Sequence, residues 1–252
     1  MNMGKVRKEG YKFYEDICIP CYFTDASCRL KAASFMDLAQ EIAFWAAQEL
    51  GFGYDDLQVH HVAWVLSRMR FTVHRAPRWR EDTVLCTWHK NTDGLFYLRD
   101  FELRDSSGGL LVSATSSWLV LNVETRRLVR DSEDLRALYG DEKKDDAIAE
   151  PAPKIVLPAE GAEKVGEHVV SYSDVDMLGH TNNARYMVWA MDALGYEAAS
   201  AGVVRDVCIN FNRETHPGET VELFRVAAGE GKTFFVEGRV GGKSAFTVKF
   251  VF

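Results

Sequence analysis

Two stretches of the chain carry apolar residues at the spacing of a helix that buries one face. In the first stretch these are Phe35, Leu38, Ala39, Ile42 and Ala46. In the second they are Tyr186, Trp189, Ala190, Ala193 and Leu194. The helix predicted over 184–194 is apolar on nearly every side except at Arg185 and Asp192. We therefore expect a curved sheet to wrap around it.

Each predicted helix is followed by strand-like runs that are separated by turn signals. After the first helix these runs are "VAWVLSRMRFTV", "DTVLCTWHK", "LFYLRDFELRD" and "LLVSATSSWLVLNV". After the second they are "VRDVCINFNRE", "ETVELFRVAAG", "KTFFVEGRV" and "SAFTVKFVF". One helix followed by a long antiparallel meander, twice over, predicts an α+β fold built from two similar halves.

A segment rich in proline and charge separates the two halves. Residues 141–164 include Pro151, Pro153 and Pro158 between blocks of alternating charge, a composition that is typical of an extended connector. The division predicts an N-terminal unit over 1–140 and a C-terminal unit over 165–252.

The two halves also share a register. Asp25 precedes the first helical residue, Phe35, by the same distance as Asp176 precedes Tyr186. Further on, "FTVHRAPRWREDTVLCTW" (71–88) aligns with "INFNRETHPGETVELF" (209–224), which places Arg75 opposite Arg213. This ordered match indicates a tandem duplication.

Composition narrows the functional class. The chain has 252 residues, 47% of them hydrophobic, and a net charge of −7, which argues against a nucleic-acid surface. No segment reaches the ~18 apolar residues of a membrane span, and the N-terminus lacks an apolar signal region. The five cysteines are an odd number at unrelated spacings, which favours reduced thiols and a cytoplasmic location. The "CIPC" pair lacks a second ligand pair, so we expect no metal and no cofactor.

Polar residues crowd the start of the second helix in "SDVDMLGHTNNARYMVWAMDAL", residues 173–194. Asp176, His180 and Asn182 precede the apolar run, and Glu214 follows a strand-like run further along. Each residue taken alone has a simple structural interpretation: Asp176 would close a turn, and Asn182 would cap a helix. Alternation along 207–214 predicts that Glu214 shares a strand face with Cys208, Asn210 and Asn212.

These segments together resemble the acyl-acyl-carrier-protein thioesterases, a family with a double hotdog fold. "DVDMLGHTNNARYMVWAMD" is similar to the family's active-site segment, and "INFNRETHPGETV" to the segment that carries its glutamate. The resemblance implies that Asp176, His180, Asn182 and Glu214 are catalytic. The sequence departs from the family pattern at Leu178, in place of an Asn, and at Thr215, where plant members often have Cys.

The chemistry implied by the resemblance is thioester hydrolysis. It requires an activated water and donors for the oxyanion, and backbone N–H groups at 182–184 can donate at a helix N-terminus. We predict that Glu214 is the general base, with Asp176 and His180 orienting the water and polarising the thioester.

The N-terminal copy lacks this set. It has Arg29 opposite His180, Lys31 opposite Asn182 and Ala76 opposite Glu214. We therefore predict one active site in each chain, in the C-terminal half, with the N-terminal half binding the acyl chain or the carrier.

The expected function is release of fatty acids from acyl carrier protein, and the expected partner is that carrier. Alternatives left open are an acyl-coenzyme A thioesterase, a non-catalytic acyl-binding protein, and, with least support, a Cys208 nucleophile. The basic runs at 74–80 and 125–130 are candidate surfaces for an acidic carrier. A monomer and a homodimer are both compatible with two hotdog copies in one chain.

Overall fold

The computed structural model describes residues 6–129, 144–158 and 160–252. Residues 141–143 and 159 of the predicted connector lie outside the described residues, as do 1–5 and 130–140 of the predicted N-terminal unit.

The described residues of the N-terminal half form six strands and two helices. In chain order these are β1 (Arg7–Glu9), β2 (Lys12–Cys18), α1 (Ala32–Glu49), α2 (Tyr54–Val59), β3 (Val62–Val73), β4 (Asp82–Asp93), β5 (Phe96–Asp105) and β6 (Leu110–Asn122). The C-terminal half contains β7 (Glu163–Val169), α3 (Asn183–Leu194), α4 (Tyr196–Ser200), β8 (Asp206–Phe211), β9 (Thr220–Ala228), β10 (Thr233–Val240) and β11 (Lys243–Val251).

All the described strands belong to one antiparallel sheet of 11 strands. Their order is β1-β2-β4-β5-β6-β3-β8-β11-β10-β9-β7. Outward from the central β3–β8 pair, the series β3-β6-β5-β4-β2 of the N-terminal half corresponds to β8-β11-β10-β9-β7 of the C-terminal half. The long helices α1 and α3 pack against each other and against the sheet. This is the double hotdog fold that was predicted.

The two halves meet where β3 pairs with β8. Arg70 is paired with Cys208, and Arg68 with Asn210. The register that aligns Arg75 with Arg213 also aligns Arg70 with Cys208. A pseudo-twofold axis therefore passes through the Arg70–Cys208 pair and exchanges the two copies.

The apolar faces of both helices are buried, as the periodicity predicted. The five apolar positions of each helix are at most 7% exposed. The helices are antiparallel, because Gln40 in the middle of α1 contacts Asn182 at the start of α3, while the start of α1 and the end of α3 line one cavity. The start of α1 consequently faces the end of α3.

The connector crosses the outer face of the sheet. The Trp88 indole donates to the Asp145 carbonyl, and Lys90 donates to the carbonyls of Ile148 and Ala149. Near the centre of the sheet, Asn210 accepts from the Ile155 N–H and donates to the Pro153 carbonyl.

The described residues 144–158 form no helix or strand, and two of their side chains enter a core. Ala152 and Ile155 are buried against Cys208. The predicted end of the connector differs, because β7 begins at Glu163 and takes the last two residues of the predicted range.

One predicted strand is too long. The strand expected to reach Glu214 ends at Phe211, because the N–H groups of Asn212 and Arg213 both donate to the Ala245 carbonyl and the regular ladder stops there. The predicted shared face is therefore wrong: Asn210 lies under the connector on the outer face, and Glu214 lies in the bend between β8 and β9.

Candidate active site

His180 and Glu214 come together at the start of α3. The His180 Nε2 atom lies 3.8 Å from the Glu214 Oε2 atom, and the side chains are 35% and 30% exposed. The His216 ring lies edge-on to His180, with 5.3 Å between centroids. An imidazole and a carboxylate thus face the same partly exposed space.

A buried hydroxyl cluster holds the two loops in contact. The neighbours of the pair, Thr181 and Thr215, share a hydrogen bond of 2.6 Å between their hydroxyls. The Thr181 N–H also donates to the Thr215 carbonyl. The Tyr186 hydroxyl, on the first turn of α3, shares a hydrogen bond with the Thr215 hydroxyl and accepts from the Thr215 N–H, both at 3.0 Å. Burial raises the pKa of Tyr186, so its phenol is kept in the neutral, donating form.

Asp176 shapes the loop that carries His180. Its Oδ1 atom accepts from the Leu178 N–H, and its own N–H donates to the His180 carbonyl. Gly179 has a φ of 78°, a backbone conformation in which glycine is favoured. The hydrogen bond found for the Asp176 carboxylate thus stays within its own turn, and none joins it to His180 or Glu214 among the described residues. Leu178, where the family has an Asn, lies 50% exposed near the tip of this turn.

A second aspartate, which the sequence did not single out, supports the same loop from inside. Asp174 is buried, its carboxylate accepts from His168 and from the Ser171 N–H, and its carbonyl accepts from the Asn182 N–H. Burial alone would raise the pKa of Asp174, but the hydrogen bonds from His168 and Ser171 outweigh burial, so the pKa is lowered. The spacing of Ser171 and Asp174, typical of a capping box, was the available signal.

Asn182 caps α3, and its position limits which backbone groups can act as oxyanion donors. Its Oδ1 atom accepts from the Ala184 N–H, and its Nδ2 atom contacts Gln40. The N–H of Asn182 is taken by Asp174, and that of Ala184 by Asn182. Of the three predicted donors, only the Asn183 N–H has no partner among the described residues.

The N-terminal half also contributes to the site. After β6, residues 122–127 form a tight turn in which Arg126 has a φ of 56°. The Arg126 Nη2 atom donates to the Glu214 Oε2 atom at 2.5 Å. Arg126 belongs to the basic run predicted to bind a carrier, but its place beside Glu214 was not predicted.

A narrow apolar crevice begins beside Asn183. Its volume is about 10 Å³. The other residues that line it, all from the N-terminal half, are Met36, Ala39, Gln40, Leu66, Met69, Phe101, Ser116 and Trp118. This space holds about one water molecule, so an apolar chain that entered from the start of α3 would have to displace side chains between α1 and the strands β3, β5 and β6.

The geometry argues against a cysteine nucleophile. Cys208 is buried, contacts the Pro153 carbonyl on the outer face of the sheet, and lies away from the His180–Glu214 pair. Burial raises the pKa of Cys208 to about 12, which disfavours the reactive thiolate.

The tandem fold places the chain in the class of double hotdog proteins. Its candidate site has an imidazole and a carboxylate at the start of the second central helix. The chain belongs to the acyl-ACP thioesterase family. Residues 10–139 match the sequence model described as "Acyl-ACP thioesterase N-terminal domain", and residues 159–240 match "Acyl-ACP thioesterase C-terminal domain".

Individual relatives are distant in sequence. The chain is 24% identical over 243 residues to oleoyl-acyl carrier protein thioesterase 2, chloroplastic, of Arabidopsis thaliana; the match covers 88% of this chain and 65% of that protein. It is 27% identical over 223 residues to palmitoyl-acyl carrier protein thioesterase, chloroplastic, of Gossypium hirsutum, covering 84% and 54%. The chain thus spans less than two thirds of the length of these plant relatives.

Solved structures share the fold over nearly the whole chain. An acyl-ACP thioesterase from Bacteroides thetaiotaomicron matches with a TM-score of 0.86 and 23% identity, over 96% of this chain and 97% of that one. The 12:0-ACP thioesterase from Umbellularia californica matches with a TM-score of 0.82 and 20% identity, over 97% and 98%.

Proposed function

We propose that the protein hydrolyses fatty acyl-acyl-carrier-protein to a free fatty acid and the carrier protein, as a step of fatty acid biosynthesis. The observation that carries the proposal is the approach of His180 to Glu214 beside an apolar crevice at the start of α3. Membership of the acyl-ACP thioesterase family supports the choice of thioester and carrier.

In the proposed reaction, Glu214 takes a proton from a water molecule that His180 helps to orient. A separation of 3.8 Å between Nε2 and Oε2 is too long for a direct hydrogen bond, and a water beside both atoms can contact each of them. Arg126 donates a hydrogen bond to the Glu214 carboxylate, the group that is proposed to accept the proton, and so holds it in place. The water oxygen then attacks the thioester carbonyl carbon.

The developing oxyanion is assigned to the start of α3. The Asn183 N–H and the positive end of the helix dipole both favour negative charge there, and one such donor contributes about 3–4 kcal/mol in acyl transfer. Collapse of the intermediate expels the carrier's thiolate. A thiol has a pKa of about 8.5, so its departure needs little help from an acid.

Asp176 and Asn182 complete the proposed site as positioning groups. Asp176 fixes the turn that presents His180, and Asn182 fixes the first turn of α3. Leu178 supplies no amide, so we propose that orientation of the water rests on His180 and Glu214 alone. A modest turnover rate follows from that loss.

The carrier rather than coenzyme A is the proposed substrate partner. Exposed cations border the site, Arg126 and Arg213 among them, and carrier proteins are acidic. The test is a comparison of fatty acid release from acyl-carrier protein and from the matching acyl-coenzyme A, over a panel of chain lengths. We expect a higher kcat/KM on the carrier, and release from either thioester at least ~100-fold slower in Glu214→Gln.

Each alternative has its own outcome in that assay. A preference for the coenzyme A thioester would overturn the carrier assignment and keep the hydrolase. Acyl binding without any product from the parent protein would overturn hydrolysis itself and favour the acyl-binding alternative.

The organisation of the chain and its location complete the proposal. We infer that residues 1–140 form the half that binds the acyl chain, that 141–164 form the connector, and that 165–252 form the catalytic half, in a monomer or a homodimer. No described helix has the length and apolarity needed to cross a membrane. The cytoplasmic location is supported by the free, exposed thiols of Cys18 and Cys21.

A further inference from the structure

A large cavity lies at the end of the helix pair opposite to the proposed active site. Its volume is about 640 Å³, and it opens between the start of α1, the end of α3 and residues 195–204. Its apolar floor consists of Phe35, Phe71, Val73, Val112, Val188 and Met191. This volume is in the range of about 300–1,000 Å³ that is common for small-molecule sites.

The cavity occupies the position that the pseudo-twofold axis relates to the active site. Asp25, Arg29, Lys31 and Ala76 all line it. In the register of the duplication these are the counterparts of Asp176, His180, Asn182 and Glu214. The counterpart site therefore keeps a cavity but has lost both the carboxylate base and the imidazole. We infer that it binds a ligand without transforming it.

Arg29 has a structural task at this position. Its Nε atom donates to Asp25, and its Nη1 atom donates to the Gly202 carbonyl, both at 3.0 Å. These bonds tie the wall of the cavity at 200–202 to the loop before α1. The ion pair between Arg29 and Asp25 occupies both charges, so neither the guanidinium nor the carboxylate is available to a ligand.

The rim near the start of α1 offers two further cations. Lys31 and Arg185 are exposed and line the cavity, and neither has an ion pair within 4 Å among the described residues. Two aspartates also line it, Asp37 and Asp192. Burial raises the pKa of both carboxyls, and the nearby charges of Arg185 and Lys31 act against that rise at Asp37.

The first turn of α1 adds unused donors at the same place. Its N-cap is Lys31, which makes no capping hydrogen bond, and no acidic residue lies in the first turn. Ser34 is 4% exposed and lines the cavity, and its hydroxyl has no partner within the described part of the chain. At α3, by contrast, Asn182 caps the helix. A helix of 18 residues with free N–H groups at its start favours an anion there.

We propose that this cavity binds a long-chain carboxylate, with the alkyl chain on the apolar floor and the carboxylate at the start of α1 beside Lys31 and Arg185. The proposal goes beyond the proposed function and does not depend on it, because binding here involves no residue of the His180–Glu214 site. An amphipathic anion is the one ligand class that uses both the floor and the cationic rim.

Calorimetric titration with dodecanoate, below its micellar concentration, tests the proposal. We would use the Glu214→Gln protein as the parent, so that turnover plays no part. Lys31→Glu reverses one rim charge, and Val188→Trp fills part of the floor. We expect each to weaken dodecanoate binding at least tenfold. Lys8→Glu, which makes the same charge change on the edge strand β1, is the matched control and should bind as the parent does.

The head group has its own control. Dodecyltrimethylammonium has an alkyl chain of nearly the same length and the opposite charge, and it should bind the parent at least tenfold more weakly than dodecanoate does. Equal binding of the two amphiphiles would overturn the assignment of a carboxylate site.

Photo-crosslinking locates the ligand without relying on any variant. A diazirine-bearing dodecanoate should label residues 188–204 or 30–35 in the parent. Labelling confined to the crevice at Met36, Leu66 and Met69 would overturn the proposal, as would parent-like binding by folded Lys31→Glu and Val188→Trp proteins. Where the tryptophan variant fails to fold, the crosslink map decides. Failure of hydrolysis is detected separately, as absence of product from acyl-carrier protein.

Discussion

Arg126 of the N-terminal half donates a hydrogen bond to Glu214 of the C-terminal half at 2.5 Å. The proposed base is thus held from two sides, by a turn after β6 and by the bend between β8 and β9. Because the contact crosses between the two copies, neither copy alone contains the whole arrangement.

The contact predicts a role for Arg126 in turnover. Arg126→Ala should lower kcat/KM on acyl-carrier protein by up to about fivefold, since an ion pair between partly exposed side chains contributes about 0.2–1 kcal/mol. Arg127→Ala removes the same charge from the next residue, which makes no side-chain contact with Glu214 in the described structure. Equal losses in the two variants would mean that general charge, and not the contact, matters.

Glu214→Gln should lower kcat by at least ~100-fold, because an amide cannot accept the proton of the attacking water. Steady-state release of fatty acid measures the effect. The matched control is Glu230→Gln, at the exposed turn between β9 and β10, which should leave kcat unchanged. A Glu214→Gln enzyme with near-parent kcat would show that the base has been misassigned.

Thr215→Val tests the buried hydroxyl cluster. The variant keeps the volume and removes a hydroxyl that bonds to Thr181 and Tyr186, so the free energy of unfolding should fall by about 1–3 kcal/mol. In a chain of this size each kcal/mol lowers Tm by about 2–4 °C. Thr220→Val, at an exposed strand end, should leave Tm unchanged. An unchanged Tm for Thr215→Val would contradict the assigned network.

Asp174→Asn should destabilise the protein in a pH-dependent way. The folded-state pKa of Asp174 is lowered, so its ionised form adds stability above the unfolded value of about 3.9. That contribution is lost as pH falls through the folded value. The difference in unfolding free energy between parent and Asp174→Asn, from urea titrations, should therefore be largest near pH 6–7 and shrink below pH 4. A constant difference down to pH 3 would refute the linkage.

Thiol labelling tests the exclusion of a cysteine nucleophile. At pH 8 iodoacetamide should modify the exposed Cys18 and Cys21, and it should spare Cys86 and Cys208, because burial raises the pKa of both to about 12. Mass spectrometry identifies the labelled residues. Full activity after labelling is the expected result, and loss of activity that parallels labelling of Cys208 would reverse the exclusion.

The sequence predicted the parts of the fold that carry a strong period. The two central helices and the strands β3 to β6 and β8 to β11 follow from apolar spacing and turn residues. Strand β2 was not predicted, because one of its buried alternate positions is a glutamate and the apolar alternation is interrupted there. The buried positions are Phe13, Glu15 and Ile17, and burial raises the pKa of Glu15. Strand β7 was not predicted, because its residues are mostly exposed at the edge of the sheet and show no apolar alternation.

The site was predictable where two separate segments resemble those of one family. His180 and Glu214 were proposed together, and the structure brings them together. The contact of Arg126 depends on how two halves of the sheet are juxtaposed, which no local pattern encodes. The position of Glu214 was inferred from strand alternation, and that inference failed because the ladder ends at Phe211.

The covalent joining of two copies around the Arg70–Cys208 axis has an evolutionary consequence. In an assembly of two identical subunits, every substitution appears in both symmetry-related places at once. Here one gene encodes both places separately, so the glutamate at 214 can persist while its counterpart at 76 becomes alanine. Fusion therefore frees one cleft to diverge while selection preserves the other.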